Sequence, residues 1–185
     1  MTTPSASLPS LAENLAAAGT AVIPVHPDSV GAPRVSIPVP NGWREVDRGV
    51  FPGAYGVWAL PPEESLGWAD NAVLLVGRLS APVDAAGLLR SAFVDSRRMP
   101  QWREVSTDTG DYQGFPSATI TGYYTVETLT LWADNRYVVV GAGGDQYLVQ
   151  LTVTARAGEE GSETALITAG LTIATSVPTD SGEMP

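Results

Sequence analysis

The first pattern of apolar and polar positions predicts a short helix near the start of the chain. Ser10-Leu11-Ala12-Glu13 matches a helix capping box, in which the Ser and Glu side chains satisfy backbone N–H groups at the helix start. Leu11, Leu15 and Ala18 recur at helical spacing. Gly19 follows them, as is typical of a helix end. We therefore predict one helix between Ser10 and Gly19.

Two further helices are predicted from the same kind of spacing. The second begins at Pro82-Val83-Asp84 and ends at Met99-Pro100. Its buried stripe is predicted to comprise Leu88, Leu89, Ala92 and Phe93. The third begins near Ser162, where nearby Glu residues favour the positive end of the helix dipole, and is expected to end at Pro178.

Runs with a period of two, or continuous apolar runs, predict the strands. The predicted strands are residues 20–25, 34–39, 54–60, 71–79, 102–108, 116–127, 128–133 with 137–140, and 146–155. Asn71–Leu79 is almost continuously apolar, which indicates a central strand covered on both faces. Asn41-Gly42 favours a turn that returns Trp43 to the core.

The connections between the later strands are short. They contain Gly110-Asp111, Asp134-Asn135 and Gly143-Gly144-Asp145, which we interpret as hairpin turns. Such short connections exclude parallel crossovers and predict an antiparallel meander. With helices before, within and after the strands, we expect an α+β fold. Its simplest packing is an α/β/α sandwich with a mostly antiparallel sheet of about six strands.

The domain organisation is predicted from these elements. Residues 1–33 form an N-terminal helix and lead-in segment, and residues 34–175 form the main domain. Residues 176–185 are expected to be a flexible tail.

Composition narrows the possible functions. Hydrophobic residues make up 44% of the chain, enough for a substantial core. The net charge is −10, and all ten basic residues are Arg. This acidity argues against binding to nucleic acid or to an anionic membrane surface. The chain has no Cys, and therefore no disulfide, zinc thiolate or Cys nucleophile. No signal peptide or membrane span is visible, so a cytoplasmic protein is expected as written; export after loss of a signal, or by a non-Sec route, is the alternative.

The candidate chemical motifs favour structural interpretations. The single His, His26, lies in a loop, and the sequence contains no Gly-x-Ser-x-Gly nucleophile elbow. A cryptic hydrolase with a Ser-His-Asp triad assembled in space stays a third hypothesis. Asp108-Thr109-Gly110-Asp111 is the best carboxylate cluster for a metal, and a hairpin turn is the favoured interpretation. Gly141–Gly144 precedes a β-rich segment and so does not match a phosphate loop. We predict no catalytic residue, metal or cofactor.

The five tryptophans are the most informative remaining feature. They are Trp43, Trp58, Trp68, Trp102 and Trp132. Most are expected to lie in the core, and the alternative is that some line a groove for a sugar or acyl chain. Trp132 shares a strand face with two threonines, which indicates partial exposure. We predict these five residues as the candidate ligand-binding set.

The order of several segments resembles a known family. These segments are Val35–Val39, Pro40–Trp43, Pro52–Val57, Asn71–Val73, Arg78-Leu79, Gly114–Ala118 and Gly144–Ala155. Together they resemble the actinobacterial LpqN family over about residues 34–175. The resemblance implies a PsbP-like sandwich and a non-enzymatic accessory role at the cell envelope, linked to trehalose-type glycolipids and to protein partners. Family lipoproteins carry a signal and a lipobox Cys, which this sequence lacks.

Two classes of function therefore compete, in addition to the cryptic hydrolase. The first is a binding module that holds an amphipathic, glycolipid-like ligand or a protein partner in an aromatic groove between a helix and the sheet. The second is a protein-interaction scaffold, or homodimer, that acts through an apolar or edge-strand surface.

Overall fold

A computed structural model of the protein describes residues 8–61 and 67–175. In these residues the chain forms four short helices and ten strands. The helices are α1 (Leu11–Ala17), α2 (Ala85–Leu89), α3 (Val94–Arg97) and α4 (Ser162–Ala169). The strands are β1 (Val22–Pro24), β2 (Arg34–Ser36), β3 (Arg44–Glu45), β4 (Gly56–Ala59), β5 (Asn71–Leu79), β6 (Arg103–Tyr112), β7 (Phe115–Val126), β8 (Leu129–Ala142), β9 (Asp145–Arg156) and β10 (Thr172–Ala174).

Eight strands form one sheet in the order β3-β4-β5-β9-β8-β7-β6, and β1 pairs with β5 beside β4. Every pair in it is antiparallel. β10 and β2 form a separate two-stranded ribbon. The long strands β6 to β9 are joined by tight turns, which leave no room for a parallel crossover. The turns contain residues with positive φ, among them Gln113 at 53°, Gly114 at 84° and Gly143 at 60°.

One face of the sheet, here called the core face, is closed by α4 and the β2–β10 ribbon. Alternate residues of the central strands point to it, as the period of a strand requires. They include Leu74, Val76, Val138, Val140, Val149, Leu151 and Val153, all buried. Ile167 of α4 and Val35 and Ile173 of the ribbon pack on them.

The opposite face, here called the groove face, carries α1, α2 and α3. A second buried cluster holds these helices, and it contains Leu11, Leu15, Leu88, Leu89 and Ala92 from the helical segments. From the sheet it takes Leu79, Ala118, Tyr137, Val139 and Leu148. Three short helices cannot cover eight strands, so part of this face stays open.

Several predictions are confirmed. The α/β/α arrangement and the antiparallel meander are as expected. Helix α1 begins with the predicted capping box, in which Ser10 N donates to Glu13 Oε2 at 2.6 Å and Glu13 N donates to Ser10 Oγ at 3.2 Å. β5 spans Asn71–Leu79, as predicted. Trp43 returns to the core and is buried.

Two predicted turns are wrong. Asp134-Asn135 lies inside β8, because neighbouring strands satisfy its polar side chains: Thr121 Oγ1 donates to Asp134 Oδ2 at 3.0 Å, and Thr152 Oγ1 donates to Asn135 Oδ1 at 2.7 Å. Gly110-Asp111 also lies inside a strand, β6, and the turn follows at Gln113-Gly114. Separately, the sheet has eight strands where about six were expected, and the eight include the short strands β1 and β3.

Two predicted helices are also shorter than expected. The second is interrupted between α2 and α3, where Ser91 Oγ donates to the Leu88 carbonyl at 2.6 Å and competes with the helix ladder. The third ends at Ala169, well before Pro178, which lies outside the described residues. Gly170 packs against Pro38 with no room for a side chain, and the chain then turns into β10. The predicted tail, 176–185, is also outside the described residues.

Candidate functional site

The groove face of β9 changes character along the strand. Leu148, Gln150, Thr152 and Thr154 point to this face, whereas their neighbours Val149, Leu151 and Val153 point into the core. Two cavities lie above these residues, and Gln150 lines both. We call the cavity at the Leu148 end the apolar lobe and the one at the Thr154 end the polar lobe. The two cavities meet at Gln150, and we refer to them together as the groove.

The apolar lobe has a volume of about 410 Å³ and lies between α1, β1 and β5. It is lined by Leu11, Ala12, Leu15, Ala16, Thr20, Val22, Pro24, Gly53, Leu75, Val76, Gly77, Leu148 and Gln150. The volume is within the range of ligand pockets, roughly 300–1,000 Å³. Leu75, in the middle of β5, remains 37% exposed, so α1 covers the lobe only in part.

The polar lobe has a volume of about 220 Å³ and lies between α3 and strands β7, β8 and β9. It is lined by Asp95, Ser96, Met99, Trp102, Tyr124, Ala133, Asn135, Tyr137, Gln150, Thr152 and Thr154. Most of these side chains carry a hydrogen-bonding group. The polar lobe therefore offers more hydrogen-bonding side chains than the apolar lobe, and the two share Gln150.

A hydrogen-bond chain crosses the polar lobe from the sheet to α3. Gln150 Nε2 donates to Thr152 Oγ1 at 3.4 Å, and Thr152 Oγ1 donates to Asn135 Oδ1 at 2.7 Å. Asn135 Nδ2 donates in turn to Ser96 Oγ at 3.3 Å. Each amide and hydroxyl keeps further hydrogen-bonding capacity beyond this chain. The lobe can therefore bind polar groups without breaking its own network.

Most polar groups that line the polar lobe are uncharged. Burial raises the pKa of Tyr137 to about 12, with a further contribution from Asp95, so its hydroxyl stays protonated. Burial also raises the pKa of Tyr124, partly offset by a hydrogen bond with Thr154. Among the described residues that line the two lobes, Asp95 is the only charged one. This described lining therefore offers no cation suited to an anionic group.

Trp102 is the tryptophan that lines the groove. Gln101 has a φ of 54°, which turns the chain beneath α3 and places the indole on Gly122, where a Cβ would collide with the ring. The indole N–H has no described partner of good hydrogen-bond geometry. The pKa of the Glu104 carboxyl is lowered mainly by the Arg97 guanidinium, and the Trp102 indole N–H makes a smaller contribution in the same direction.

The other four tryptophans lie elsewhere. Trp43 is buried on the core face, and its Nε1 donates to Glu163 Oε2 at 3.0 Å. Trp58 and Trp132 are half-buried against the same core. Trp68 is half-buried before β5, with its Nε1 buried and unpartnered among the described residues. The structure does not bring the five together, and a ligand role for them as a set stays a prediction.

The other chemical candidates are separated in the structure. His26 N donates to Ser29 Oγ at 3.1 Å, but the imidazole Nδ1 is buried without a partner in the described part of the chain, which is not the geometry of a catalytic relay. Asp108 and Asp111 point to opposite faces of β6, since they lie three residues apart in a strand. Within residues 8–61 and 67–175 there is no cluster of three metal-ligating side chains.

Sequence reasoning missed the groove floor. The signal was present in β9, where polar residues at 150, 152 and 154 alternate with apolar ones in a strand that the structure places between β5 and β8. A central strand under a fully apolar cover would carry apolar residues on both faces. The polar half therefore marked an opening in that cover.

The α+β sandwich with its antiparallel sheet defines the fold class of this protein. Residues 8–174 match the family model described as "Probable lipoprotein LpqN", and the chain belongs to that family. LpqT, a putative lipoprotein of Mycobacterium tuberculosis, is 32% identical over 160 residues, which cover 82% of this chain and 67% of the relative. The proline-rich 28 kDa antigen of the same organism is 31% identical over 144 residues.

A solved structure supports the fold. The crystal structure of M. tuberculosis LpqN, described as involved in cell envelope biogenesis, aligns over 90% of this chain and 98% of its own with a TM-score of 0.79 and 21% identity. The match with the 28 kDa antigen covers 46% of that protein, so this chain spans less than half of its length. In the described residues, every helix is too short or too polar to cross a bilayer.

Proposed function

We propose that the protein is a non-enzymatic binding protein of the cell envelope that holds an amphipathic molecule in the groove. The apolar part of the ligand occupies the apolar lobe, and its polar part occupies the polar lobe. The observation that carries this proposal is the graded floor on β9, where Leu148, Gln150 and Thr152 follow one another along a single groove. A ligand with one apolar and one polar end matches that order.

The chemistry of the lining also favours a particular head group. Amide and hydroxyl groups in the polar lobe donate and accept hydrogen bonds, and Asp95 is the charged residue there. An uncharged, hydroxyl-rich head group satisfies such a lining, whereas an anionic one would meet a carboxylate without a compensating cation. A glycolipid-like ligand has this chemistry. Envelope location is consistent with the lipoprotein relatives and the family to which the chain belongs.

Blocking the apolar lobe tests the proposal. Ala16 is exposed on α1 and lines the lobe, whereas its neighbour Ala17 is equally exposed and does not. Ala16→Trp should fill the lobe and weaken binding of N-dodecyl dansylamide, an uncharged fluorescent amphiphile, by tenfold or more. Ala17→Trp is the matched control and should bind like the unmodified protein. Fluorescence titration measures both affinities, and circular dichroism checks the fold.

Equal binding by the two variants would place the ligand outside the groove. Absence of saturable binding to the unmodified protein would remove the support for an amphipathic ligand of this kind. An analogue with the same chain and a sulfate head group is expected to bind more weakly, because of Asp95.

A second candidate function is a scaffold or homodimer that acts through the outer edge of β6. This strand ends the sheet, nine of its ten residues are exposed, and Val105 is 59% exposed. An unpaired edge can add a strand from a partner. Its charged residues and the irregularity between Glu104 and Ser106 oppose such pairing, which ranks this candidate second. Light scattering that finds only a monomer would contradict the homodimer.

A further inference from the structure

Helix α1 forms the roof of the apolar lobe. Four of its seven residues line the lobe, namely Leu11, Ala12, Leu15 and Ala16. Only Leu11 and Leu15 are buried, against Leu79, Leu88 and their neighbours. The packing of the helix on the rest of the protein therefore depends on these two leucines, while Ala12 and Ala16 extend over a cavity of about 410 Å³.

The N-terminal half of α1 is attached to α3 through Arg98. Its guanidinium donates to both carboxylate oxygens of Glu13, at 3.1 and 3.2 Å, and to the Leu8 carbonyl at 3.1 Å. Arg98 is the C-cap of α3, and α3 lines the polar lobe through Asp95 and Ser96. The ion pair thus joins the roof of one lobe to the wall of the other.

The other end of α1 is fixed by covalent and backbone connections. Gly19 adopts a φ of 67° with no atom near its missing side chain, and Thr20 N donates to the Leu15 carbonyl at 2.9 Å. β1 then pairs with β5 at Val22 and Leu79. Motion of α1 about Gly19 would leave this strand pairing in place, whereas motion about its N-terminus would require the Arg98 contacts to break.

We propose that α1 is a gate over the groove, hinged at Gly19 and latched by the Glu13–Arg98 ion pair. This inference rests on the proposed function, because it assigns the groove a means of admitting and releasing its ligand. The latch suits this task because both of its side chains are substantially exposed, 43% for Arg98 and 53% for Glu13. Exposed ion pairs contribute little and break easily. The latch also bears on α1 itself, since Glu13 belongs to the capping box.

The absence of cysteine from the chain provides a direct test that needs no ligand. Gln150→Cys places a single thiol on the floor where the two lobes meet, and its rate of reaction with a maleimide reports the fraction of open gate. Adding Arg98→Ala should raise this rate about two- to five-fold, the size that loss of an exposed ion pair allows. Arg97→Ala is the matched control, because Arg97 bonds Glu104 on β6 and has no hydrogen bond or ion pair to α1 among the described residues.

Equal labelling rates in the Arg98→Ala and Arg97→Ala backgrounds would overturn the gate. The same conclusion would follow if the thiol introduced by Gln150→Cys alone reacted as fast in buffer as in urea, since the groove would then be permanently open. Leu148→Cys, in the apolar lobe, serves as a second reporter if Gln150→Cys fails to fold.

Ligand kinetics separate this proposal from the proposed function. If the gate is right, Arg98→Ala should raise the association and dissociation rates of N-dodecyl dansylamide together, with a smaller change in affinity. Faster thiol labelling without amphiphile binding would support the gate and contradict the ligand. Tight amphiphile binding with an unchanged labelling rate would support the ligand and contradict the gate.

Discussion

The two faces of β9 differ in the side chains they carry and in how these are covered, although both belong to one strand with one set of backbone hydrogen bonds. On the core face, Val149, Leu151 and Val153 are almost fully buried beneath α4. On the groove face, Gln150 and Thr152 are half-buried, line the polar lobe and bond to one another. The first face supplies apolar burial, which stabilises the fold in proportion to its area. The groove face buries less apolar surface, and the space left uncovered there forms the groove.

The largest expected effect is a difference in stability between substitutions at two adjacent residues of β9, one on each face. Leu151→Ala should lower the free energy of unfolding by about 2–5 kcal/mol, since Leu151 is 1% exposed and truncation leaves a cavity. Gln150→Ala, its neighbour on the groove face, should cost less than about 1 kcal/mol. Denaturation in urea measures both. Similar losses would mean that the groove face contributes to stability as the core face does.

The hydrogen-bond chain of the polar lobe should show a smaller, coupled effect. Thr152→Val removes the donor to Asn135 Oδ1 and should cost about 0.5–1.5 kcal/mol. Asn135→Leu together with Thr152→Val should recover part of this loss, because both partners of the Asn135–Thr152 bond are then removed together. The recovery is only partial, since Ser96 and Gln150 each lose a hydrogen bond to these side chains. Amphiphile binding should nevertheless fall in the double variant. A double-mutant cycle in urea measures the coupling, and additive losses would show that the two side chains act independently.

The smallest expected effect concerns a charge on the core face. Burial raises the pKa of Asp134, only partly offset by Thr121 and Arg136. The folded state therefore binds this proton more tightly than the unfolded state, and ionisation destabilises the fold as pH rises from the ordinary value of 3.8 through the raised pKa. Asp134→Asn should stabilise the protein modestly at pH 7, with a gain that shrinks as pH falls and vanishes below that ordinary value.

Urea denaturation at several pH values checks the sign. A loss of stability at pH 7 in the Asp134→Asn variant would contradict this prediction. It would show that the hydrogen bonds accepted by the carboxylate stabilise the fold by more than burial of its charge destabilises it. Thr121→Val is a useful companion variant, because it removes the donor to Asp134 and keeps the charge.

Local patterns predicted the elements whose partners are close in sequence. The capping box and the two leucines of α1, the apolar run of β5 and the long hairpins depend on spacing and turn chemistry within a few residues. The interpretation of Asp134-Asn135 as a turn failed because the side chains that satisfy these residues come from β7 and β9. Such partners are distant in sequence, and local composition does not reveal them.

The candidate site shows the same division. The tryptophans were chosen for their chemistry, and only Trp102 reaches the groove, because Gln101 turns the chain and Gly122 leaves room for the indole. The groove floor on β9 was visible as alternation but had no meaning until the cover of that face was known. Side-chain type alone does not say which face of a sheet is left open.

By itself, the sequence determined an acidic, antiparallel α+β sandwich without cysteine and with a capped N-terminal helix, because these depend on composition and on periodicity along the chain. Only the tertiary structure decided that three short helices cover one face incompletely, that Arg98 reaches Glu13 across 85 residues, and that Gln150 connects two lobes. The physical reason is that a groove is defined by what fails to cover a surface, and coverage depends on how distant elements pack.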